Sequence, residues 1–437
     1  MNAPGYGVTS DALLQRMAEL HTRKIDLSLD RSFRLLADLG NPHHAVPGVV
    51  HIAGTNGKGS TLAMIRAGLE AAGEAVHTYT SPHLVRFHER IVLRGQDITE
   101  PALVDILSRT LAANGDQAIT QFEATTCAAF LSYAETPADT LLLEVGLGGR
   151  ADTTNVVADP RLCIITPVDM DHQSFLGETL AAIAGEKAGI LKRRVPCIVA
   201  KQQEAALDVI EARAAALGVP LCVHGQHWHV AEERGRLVYQ DERGLLDLPL
   251  PVLPGPHQIE NAGTALAALR HLGHDEETCA AALARARWPA RMQRLADGPL
   301  PALAPRGELW LDGGHNPHAA RAMAETLRRR AAETGDARPL HLIFALQGAR
   351  DARLVLAPFS ALAERLTAVP VPDEPASQPT QALAAEAQAL GIDADVASGV
   401  EAALRRIAAE SPQARVLIFG SLYLAGAVLR LQEEGAD

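Results

Sequence analysis

The stretch VVHIAGTNGKGSTLAMI, residues 49–65, joins an apolar run, a glycine-rich turn and a helical pattern. It is close to the phosphate-binding pattern G-x-x-x-x-G-K-[ST], but Ile52 stands where the first Gly belongs, and Gly59 separates Lys58 from Ser60. A strand, a Gly-rich turn and a helix in this order direct backbone N–H groups and a helix N-terminus toward one point, which attracts anions. The stretch therefore predicts a nucleotide phosphate site, but it does not distinguish a kinase, a motor or a ligase.

The residue types within this loop suit phosphate chemistry. Gly57 and Gly59 allow the backbone to approach phosphates without a Cβ in the way. Lys58 supplies a charge that can follow the β and γ phosphates, and Ser60 or Thr61 offers a hydroxyl near a Mg²⁺ ion. A glycine-rich turn with a surface lysine is the simpler interpretation of a lone G-K-x-S. The strong strand and helix on either side favour the phosphate site.

The composition excludes several classes of protein. The 437 residues suggest two or three domains, and a hydrophobic fraction of 47% allows a sizeable core in a soluble chain. The net charge of -12 argues against a nucleic-acid partner. Five widely spaced cysteines without a C-x-x-C pair indicate reduced thiols in a cytoplasmic protein. The sequence shows neither a signal peptide nor an apolar run of about 18 residues, so we expect no membrane segment.

Alternating strand and helix patterns indicate an α/β fold. Between about residues 48 and 200 the alternation predicts a parallel sheet with helices on both faces. Residues 219–253 predict a small antiparallel β subregion, and 286–299 a domain boundary. The chain is thus expected to form an N-terminal domain, 1–296, with the phosphate loop (P-loop), and a smaller Rossmann-like α/β domain, 297–437.

Acidic and histidine side chains near strand ends suggest a metal site. Glu144 ends the buried strand of LLLEVG, where a parallel sheet places its ligands, and beside a phosphate loop it can hold Mg²⁺. Asp169, Asp171 and His172 follow another strand, but spacing alone leaves His172 open between a metal ligand and a structural histidine. The histidines of VHGQHWHV (His224, His227 and His229) suggest zinc, although their alternation favours a surface strand.

Several motifs together resemble the folylpolyglutamate synthase/dihydrofolate synthase family, the folate branch of the Mur-ligase-like ATP-dependent amide ligases. They are HIAGTNGKGST (51–61), YTSPHLVRFHERI (79–91), LLLEVGLGGRADTTN (141–155), EKAGI (186–190), LPGPHQIENAGTAL (253–266), LDGGHNPHA (311–319) and VLIFGSLYLAG (416–426). The resemblance covers about residues 14–432, and the extra Gly59 is typical of the folate branch. It implies a P-loop domain and a Rossmann-like domain, with the active site in the cleft between them.

The resemblance implies a role for each residue that matches a motif. Lys187 matches a lysine that the family carries as a carbamate, which would turn a cation into an anion able to face Mg²⁺. His315 lies in the motif turned toward the phosphates and the incoming glutamate, and Asp152 is a further catalytic candidate. Two Mg²⁺ ions are implied, held by Ser81, Glu144, His172 and Lys187. The implied ATP contacts are Gly54, Thr55, Asn56, Gly57, Lys58, Gly59, Ser60, Thr61, Asn261, Arg291 and Asp312.

Two further segments resemble the pteroate-contacting side of the family. They are KIDLSLDR (24–31) and ITQFEATT (119–126). The implied contacts are Asp26, Leu27, Ser28, Leu29, Phe122, Glu123 and Arg150, and Asp152 is also named on this side. The chain departs from the family pattern at Ala290, where a Gly is usual, and we expect this change to alter a turn more than the contact of Arg291.

The implied reaction is ATP- and Mg²⁺-dependent ligation of L-glutamate to dihydropteroate and to the tail of reduced folates, through an acyl phosphate. The DLSL and QFE segments favour the enzyme with both activities. The resemblance also implies a monomer, and the cysteines lead us to expect a cytoplasmic protein. Three alternatives are an enzyme that only extends folate tails, a Mur-type ligase of UDP-sugar peptides, and a P-loop phosphotransferase or nucleotide-dependent binding protein. The DLSL segment and the extra Gly59 oppose the Mur type, and DGGHNP in a second domain opposes the phosphotransferase.

Overall fold

The strand that leads into the glycine-rich loop lies inside a mostly parallel sheet of eight strands. The computed structural model describes residues 9–22, 25–348, 350–372 and 374–434. The strand order is β4-β3-β2-β5-β1-β6-β7-β8, and only β3 and β4 run antiparallel to their neighbours. The strands are β1 Gly48–Ala53, β2 Val76–Tyr79, β3 Ile91–Leu93, β4 Gln96–Asp97, β5 Thr140–Glu144, β6 Leu162–Ile165, β7 Cys197–Val199 and β8 Leu221–Val223.

Helices cover both faces of this sheet. One apolar cluster includes residues of α1, α2, α4 and α5, and another includes residues of α7 and α8. Strands buried on both faces read as continuous apolar runs, which is why LLLEV and LCII mark them in the sequence. The helices are α1 Ser10–Glu19, α2 Asp30–Asp38, α3 Lys58–Ala71, α4 Glu100–Asn114, α5 Gln121–Glu135, α6 Gln173–Leu176, α7 Leu180–Ala188, α8 Glu204–Leu217, α9 Pro256–His271 and α10 Glu276–Arg285.

A separate antiparallel sheet contains β9 Trp228–Glu233, β10 Arg236–Asp241 and β11 Gly244–Leu248. The expectation for 219–253 was wrong for β8, which pairs in parallel with β7 in the large sheet. A strand of three residues carries no sign of its direction. The antiparallel pair β3–β4 was not predicted, because its strands are too short to show a period.

Gly263 is the point at which this small sheet meets α9. A Cβ added there would lie 2.5 Å from Val230 Cγ1 and 2.7 Å from Trp228 Cζ3. We expect Gly263→Ala to lower the free energy of unfolding by about 1–3 kcal/mol, because either the backbone or the Trp228 ring must move to make room for the methyl group. In contrast, Gly185→Ala, also inside a helix but with its nearest atom at 3.9 Å, should raise stability by about 0.5–1 kcal/mol. Urea unfolding of both variants checks this, and equal effects would contradict it.

The C-terminal part of the chain forms a second sheet of six strands, in the order β12-β13-β17-β14-β15-β16. Only the edge strand β12 is antiparallel to its neighbour. The strands are β12 Gln293–Leu295, β13 Glu308–Leu311, β14 Leu340–Phe344, β15 Ala363–Ala368, β16 Asp393–Val396 and β17 Arg415–Phe419. The helices are α11 Pro299–Leu303, α12 Pro317–Thr334, α13 Ala352–Leu356, α14 Thr380–Ala389, α15 Val400–Glu410 and α16 Leu422–Glu434.

The chain divides into two units, Met1–Leu250 with Glu260–Ala286, and Pro251–Ile259 with Arg287–Asp437. The division therefore falls at 286/287 instead of the expected 296/297, because β12 already pairs with β13. The segment 251–259, expected in the first domain, belongs to the second unit. None of the helices in the described part of the chain is both long and apolar enough to cross a membrane.

Candidate active site

Four neighbouring strands of the first sheet end at a common edge that carries many of the expected residues. Ser81 follows β2, Glu144 ends β5, the loop 54–57 follows β1, and 166–172 follows β6. The backbone N–H groups of Thr55 and Asn56 donate to the Pro167 carbonyl at 3.0 and 3.3 Å, which joins two of these loops. The carboxyl ends of parallel strands are where such sheets bind ligands.

The glycine-rich loop forms a tight turn at the start of α3. Gly57 has φ of 87°, and a Cβ on it would lie 2.3 Å from Asn261 Oδ1, so only glycine fits. Lys58 folds back over the loop, and its Nζ donates to the carbonyls of Gly54 and Thr55 at 3.1 and 3.4 Å. The buried hydroxyl of Thr61 has no hydrogen-bond partner among the described residues. A phosphate or its metal ion would supply one, so the loop fits a nucleotide.

Lys187, on α7, approaches the same loop from the interior. Its Nζ donates to the Gly54 carbonyl at 3.0 Å, so two lysine side chains share one acceptor. Burial, and then the neighbouring charge of Lys58, lower the pKa of Lys187 to about 7. A large fraction of its amine is therefore uncharged at neutral pH and can react as a nucleophile.

The expected metal ligands divide into two groups. Ser81 N–H donates to Glu144 Oε2 at 3.4 Å, and Glu144 Oε1 lies 4.0 Å from Lys58 Nζ, so these residues meet at the loop. His172 precedes α6 with φ of 52°, in the loop after β6. Oxygen ligands suit Mg²⁺, but a charged Lys187 would repel it. The set therefore fits the ion best when Lys187 carries an anionic group.

The described residues contain no group of three or more His, Cys, Asp or Glu side chains placed to hold a metal. The expected set includes only two such side chains, Glu144 and His172, and depends on Ser81 and Lys187 for the rest. The zinc interpretation of His224, His227 and His229 is wrong for the same reason. His227 instead accepts a hydrogen bond from its own turn, Val223 N–H to Nδ1, at 3.1 Å.

Two of the expected pteroate-side residues, Asp26 and Glu123, contact Arg31, which sequence analysis did not single out. Arg31 forms two hydrogen bonds with Glu123, at 2.8 and 3.0 Å, and an ion pair of 3.0 Å with Asp26. Glu123 is almost fully buried and also caps α5 by accepting from Thr120 N–H. The sequence did contain a signal for this residue, because Arg31 is the last residue of the KIDLSLDR segment. The intervening residues Leu27, Ser28 and Leu29 lead into α2.

Phe122 packs directly on the turn that follows β5. A Cβ on Gly146 would lie 2.5 Å from Phe122 Cζ and 3.2 Å from Asp152 Oδ2. The pKa of Asp152 is raised by burial, although its carboxylate accepts bonds from Leu147 N–H and Thr154 N–H, both at 2.9 Å. Asp152 is thus held by its own turn.

Arg150 is mostly exposed, and its guanidinium bonds Glu186 at 2.8 and 3.0 Å. Glu186 immediately precedes Lys187. The pairing therefore links the turn after β5 to the helix that carries Lys187, and it leaves most of the Arg150 side chain accessible.

The second unit brings Arg291, Asp312 and His315 to the end of β13. Asp312 accepts from Met292 N–H and Gly314 N–H, both at 2.7 Å, and burial raises its pKa. His315 Nδ1 lies 3.0 Å from the Gly313 carbonyl oxygen. Ala290 has φ of 53°, a conformation that glycine adopts more easily. Its carbonyl accepts from Arg291 Nη1 at 2.8 Å, so the turn still holds Arg291.

Known proteins share both halves of this architecture. Residues 52–269 match the Mur ligase middle domain, and residues 291–422 match the Mur ligase glutamate ligase domain. The dihydrofolate synthase/folylpolyglutamate synthase of Escherichia coli is 37% identical over 70% of this chain and 70% of its own length. The chain belongs to the dihydrofolate synthase/folylpolyglutamate synthase family. The folylpolyglutamate synthase of Lacticaseibacillus casei is 31% identical over 91% of this chain and 92% of its own.

Solved structures of the family agree with the fold. The structure of Escherichia coli FolC in complex with DHPP and ADP covers all of both chains with a TM-score of 0.87 at 30% identity. The structure of a bifunctional folylpolyglutamate synthase/dihydrofolate synthase with Mn, AMPPNP and L-glutamate bound covers 98% of this chain and 99% of its own, with a TM-score of 0.84 at 29% identity. The family, the two-domain α/β fold, and ATP with a divalent metal as cofactors are thereby confirmed. The roles of individual residues remain predictions.

Proposed function

We propose that the chain ligates L-glutamate to dihydropteroate and to the glutamate tail of reduced folates, at the expense of ATP. The observation that carries this proposal is the meeting of Lys58, Glu144 and Lys187 at one glycine-rich loop. This arrangement suits phosphoryl transfer, and the Arg31 cluster in the same unit supplies polar groups for a second substrate. Relatives from Escherichia coli and Bacillus subtilis bear the names of both activities.

The chemical task is to make a carboxylate react with an amine. Transfer of the γ-phosphoryl group of ATP to the carboxylate gives an acyl phosphate, which the amine of L-glutamate attacks with release of phosphate. Bound Mg²⁺ neutralises charge on the transferred phosphoryl group. Residues 54–61 hold the phosphates through backbone N–H groups. Lys58 exchanges its hydrogen bonds to the Gly54 and Thr55 carbonyls for contacts with the phosphates. Orientation of the reactants supplies much of the rate.

The remaining residues divide between the substrates. Asp26, Arg31 and Glu123 form the polar wall for the pteroate, and Phe122 offers a ring for stacking. Asn261, Arg291 and Asp312 contact ATP, and His315 orients the incoming glutamate. Ser81, Glu144, His172 and carbamylated Lys187 hold the two metal ions. We further propose that the enzyme is cytoplasmic, which suits its five free cysteines, and that it is a monomer, as the family resemblance implies.

Product mass tests the proposed function directly. Purified protein is incubated with Mg-ATP and L-glutamate, and with dihydropteroate or tetrahydrofolate in separate tubes. We expect a mass gain of one or more glutamyl units in each tube, and none without ATP. A gain with tetrahydrofolate alone would make the chain an enzyme that only extends tails. No gain in either tube would exclude the folate substrates and favour a Mur-type ligase.

A further inference from the structure

A buried chain of hydrogen bonds connects the strand before the phosphate loop to the turn after β5. His51 Nε2 lies 2.9 Å from Thr154 Oγ1, and this hydroxyl donates to Asp152 Oδ1 at 2.5 Å. The other oxygen of Asp152 accepts from Leu147 N–H at 2.9 Å. The three side chains are at most 2% exposed. His51 lies on β1, and Thr154 lies in the short 3₁₀ helix Thr153–Val156, which follows the turn after β5.

The direction of each bond follows from the donors available. The hydroxyl of Thr154 has one hydrogen, which it gives to Asp152, so it must accept from His51. His51 therefore carries its proton on Nε2. Burial lowers the pKa of His51 to about 3, so the ring is neutral at physiological pH. Nδ1 has no hydrogen-bond partner among the described residues.

An apolar side chain would fill this strand position without leaving a buried nitrogen unpaired. What the histidine adds, beyond the packing that an apolar side chain would also provide, is its Nε2 proton. The end of this chain of bonds at Asp152 lies beside residues that are expected to contact the pteroate. Asp152 Oδ2 faces Gly146, on which Phe122 packs, and the neighbouring Thr153 hydroxyl bonds Ser32, next to Arg31, at 3.1 Å.

We propose that His51 and Thr154 are positioning residues, which hold the turn 146–152 in the shape that binds the pteroate part of the substrate. The proposal rests on the proposed function and extends it. Asp152 fixes the Leu147 backbone, Thr154 fixes Asp152, and His51 fixes Thr154 from the strand that leads into the phosphate loop. Neither His51 nor Thr154 has to touch a substrate to act in this way.

Steady-state kinetics of Thr154→Val tests the proposal, since this change removes the hydroxyl and keeps the shape. We expect the KM for dihydropteroate to rise about tenfold, while kcat and the KM for ATP change less than about twofold. Thr154→Ser keeps the hydroxyl and should restore the wild-type KM. The matched control is Thr110→Val, because Thr110 is equally buried but bonds only its own helix, to Ile106 O at 2.7 Å.

Equal KM values for dihydropteroate in Thr154→Val and Thr110→Val would overturn the proposal, as would equal rises in the KM values for ATP and dihydropteroate. If Thr154→Val does not fold, His51→Leu removes the donor from the other end, and a rise of about threefold in the same KM is expected. If the wild-type protein uses only tetrahydrofolate, the comparison is made with that substrate. A wild-type protein without any glutamate ligation would refute the proposed function itself, whatever the variants do.

Discussion

Lys58→Ala is expected to lower kcat/KM for ATP by at least about 10³-fold while the protein remains folded. Preorganised cations on a transferring phosphoryl group contribute effects of this size. The side chain is 17% exposed and bonds only the carbonyls of Gly54 and Thr55, besides its long contact with Glu144. Its removal therefore leaves no buried donor unpaired. ATP hydrolysis coupled to ligation measures the first effect, and thermal unfolding the second.

Lys201→Ala is the matched control for this substitution. Lys201 is exposed and pairs with Glu260 at 3.3 Å, so its loss should change the rate by less than about twofold. Near-normal ligation by the Lys58 variant would show that the glycine-rich loop does not hold ATP in the way proposed. A loss of rate that came with unfolding would also count against the prediction, because the structure gives Lys58 little part in stability.

Lys187→Ala is expected to lower kcat by about 10²–10³-fold, the size of effect found when one charge-stabilising group is removed. The physical reason is charge. A carbamate would change this position from a cation, which repels Mg²⁺, to an anion, which attracts it beside Glu144. A small carboxylate such as acetate should restore part of the activity of the alanine variant, because it replaces the missing oxygens.

Carbon dioxide provides the second arm of this test. The neutral amine of Lys187 attacks CO2 and releases a proton, so enzyme freed of CO2 should regain activity when bicarbonate is added. With a pKa of about 7, the neutral fraction of the amine rises from pH 6 to pH 8, so the rate of recovery should rise over this range when the concentration of dissolved CO2 is held constant. Lys192→Ala is the control, and it should still need bicarbonate to recover. Lys192 is partly buried, and its Nζ donates to the Asn155 carbonyl oxygen at 3.1 Å. Recovery that does not require bicarbonate would refute the carbamate.

The same pKa has a consequence for the stability of the unmodified protein. The folded-state pKa of about 7 lies below the ordinary value of 10.5. Between these two values the unfolded chain binds a proton that the folded chain does not. The contribution of this group to the free energy of unfolding should therefore rise with pH across that window, and carbamylation should remove the dependence.

Short sequence patterns predicted the glycine-rich loop and the sheet edge on which the site lies. The loop 54–57 was found from its sequence, because a strand, glycines and a helix follow one another within 17 quoted residues. The edge at which Ser81 and Glu144 meet followed from the rule that parallel strands end together. The direction of β8 and the pair β3–β4 were not found, since such short strands lack a readable period.

The spacing of motifs could not predict contacts between residues that are far apart in the sequence. Arg31 and Glu123 are 92 residues apart, and His51 and Thr154 are 103 apart. Nothing near His51 distinguishes it from an ordinary strand residue until the fold places Thr154 beside it. Asp152 was chosen as catalytic because of its motif and this role stays a prediction, whereas its bonds to Leu147 and Thr154 could not be predicted from spacing. The family resemblance supplied the substrates, which the geometry alone does not name.

The segment 251–259 determines how the protein can be divided for study. The chain enters the second unit for these nine positions, returns to the first for 260–286, and only then leaves it. Within the second unit, a Cβ on Gly255 would lie 2.6 Å from Thr326 Oγ1, so the segment lies against α12. A fragment that starts at residue 287 would expose this part of α12 to water. A recombinant fragment of the second unit therefore cannot be obtained by a single cut, and it has to carry residues 251–259 joined by a linker to the piece that starts at residue 287.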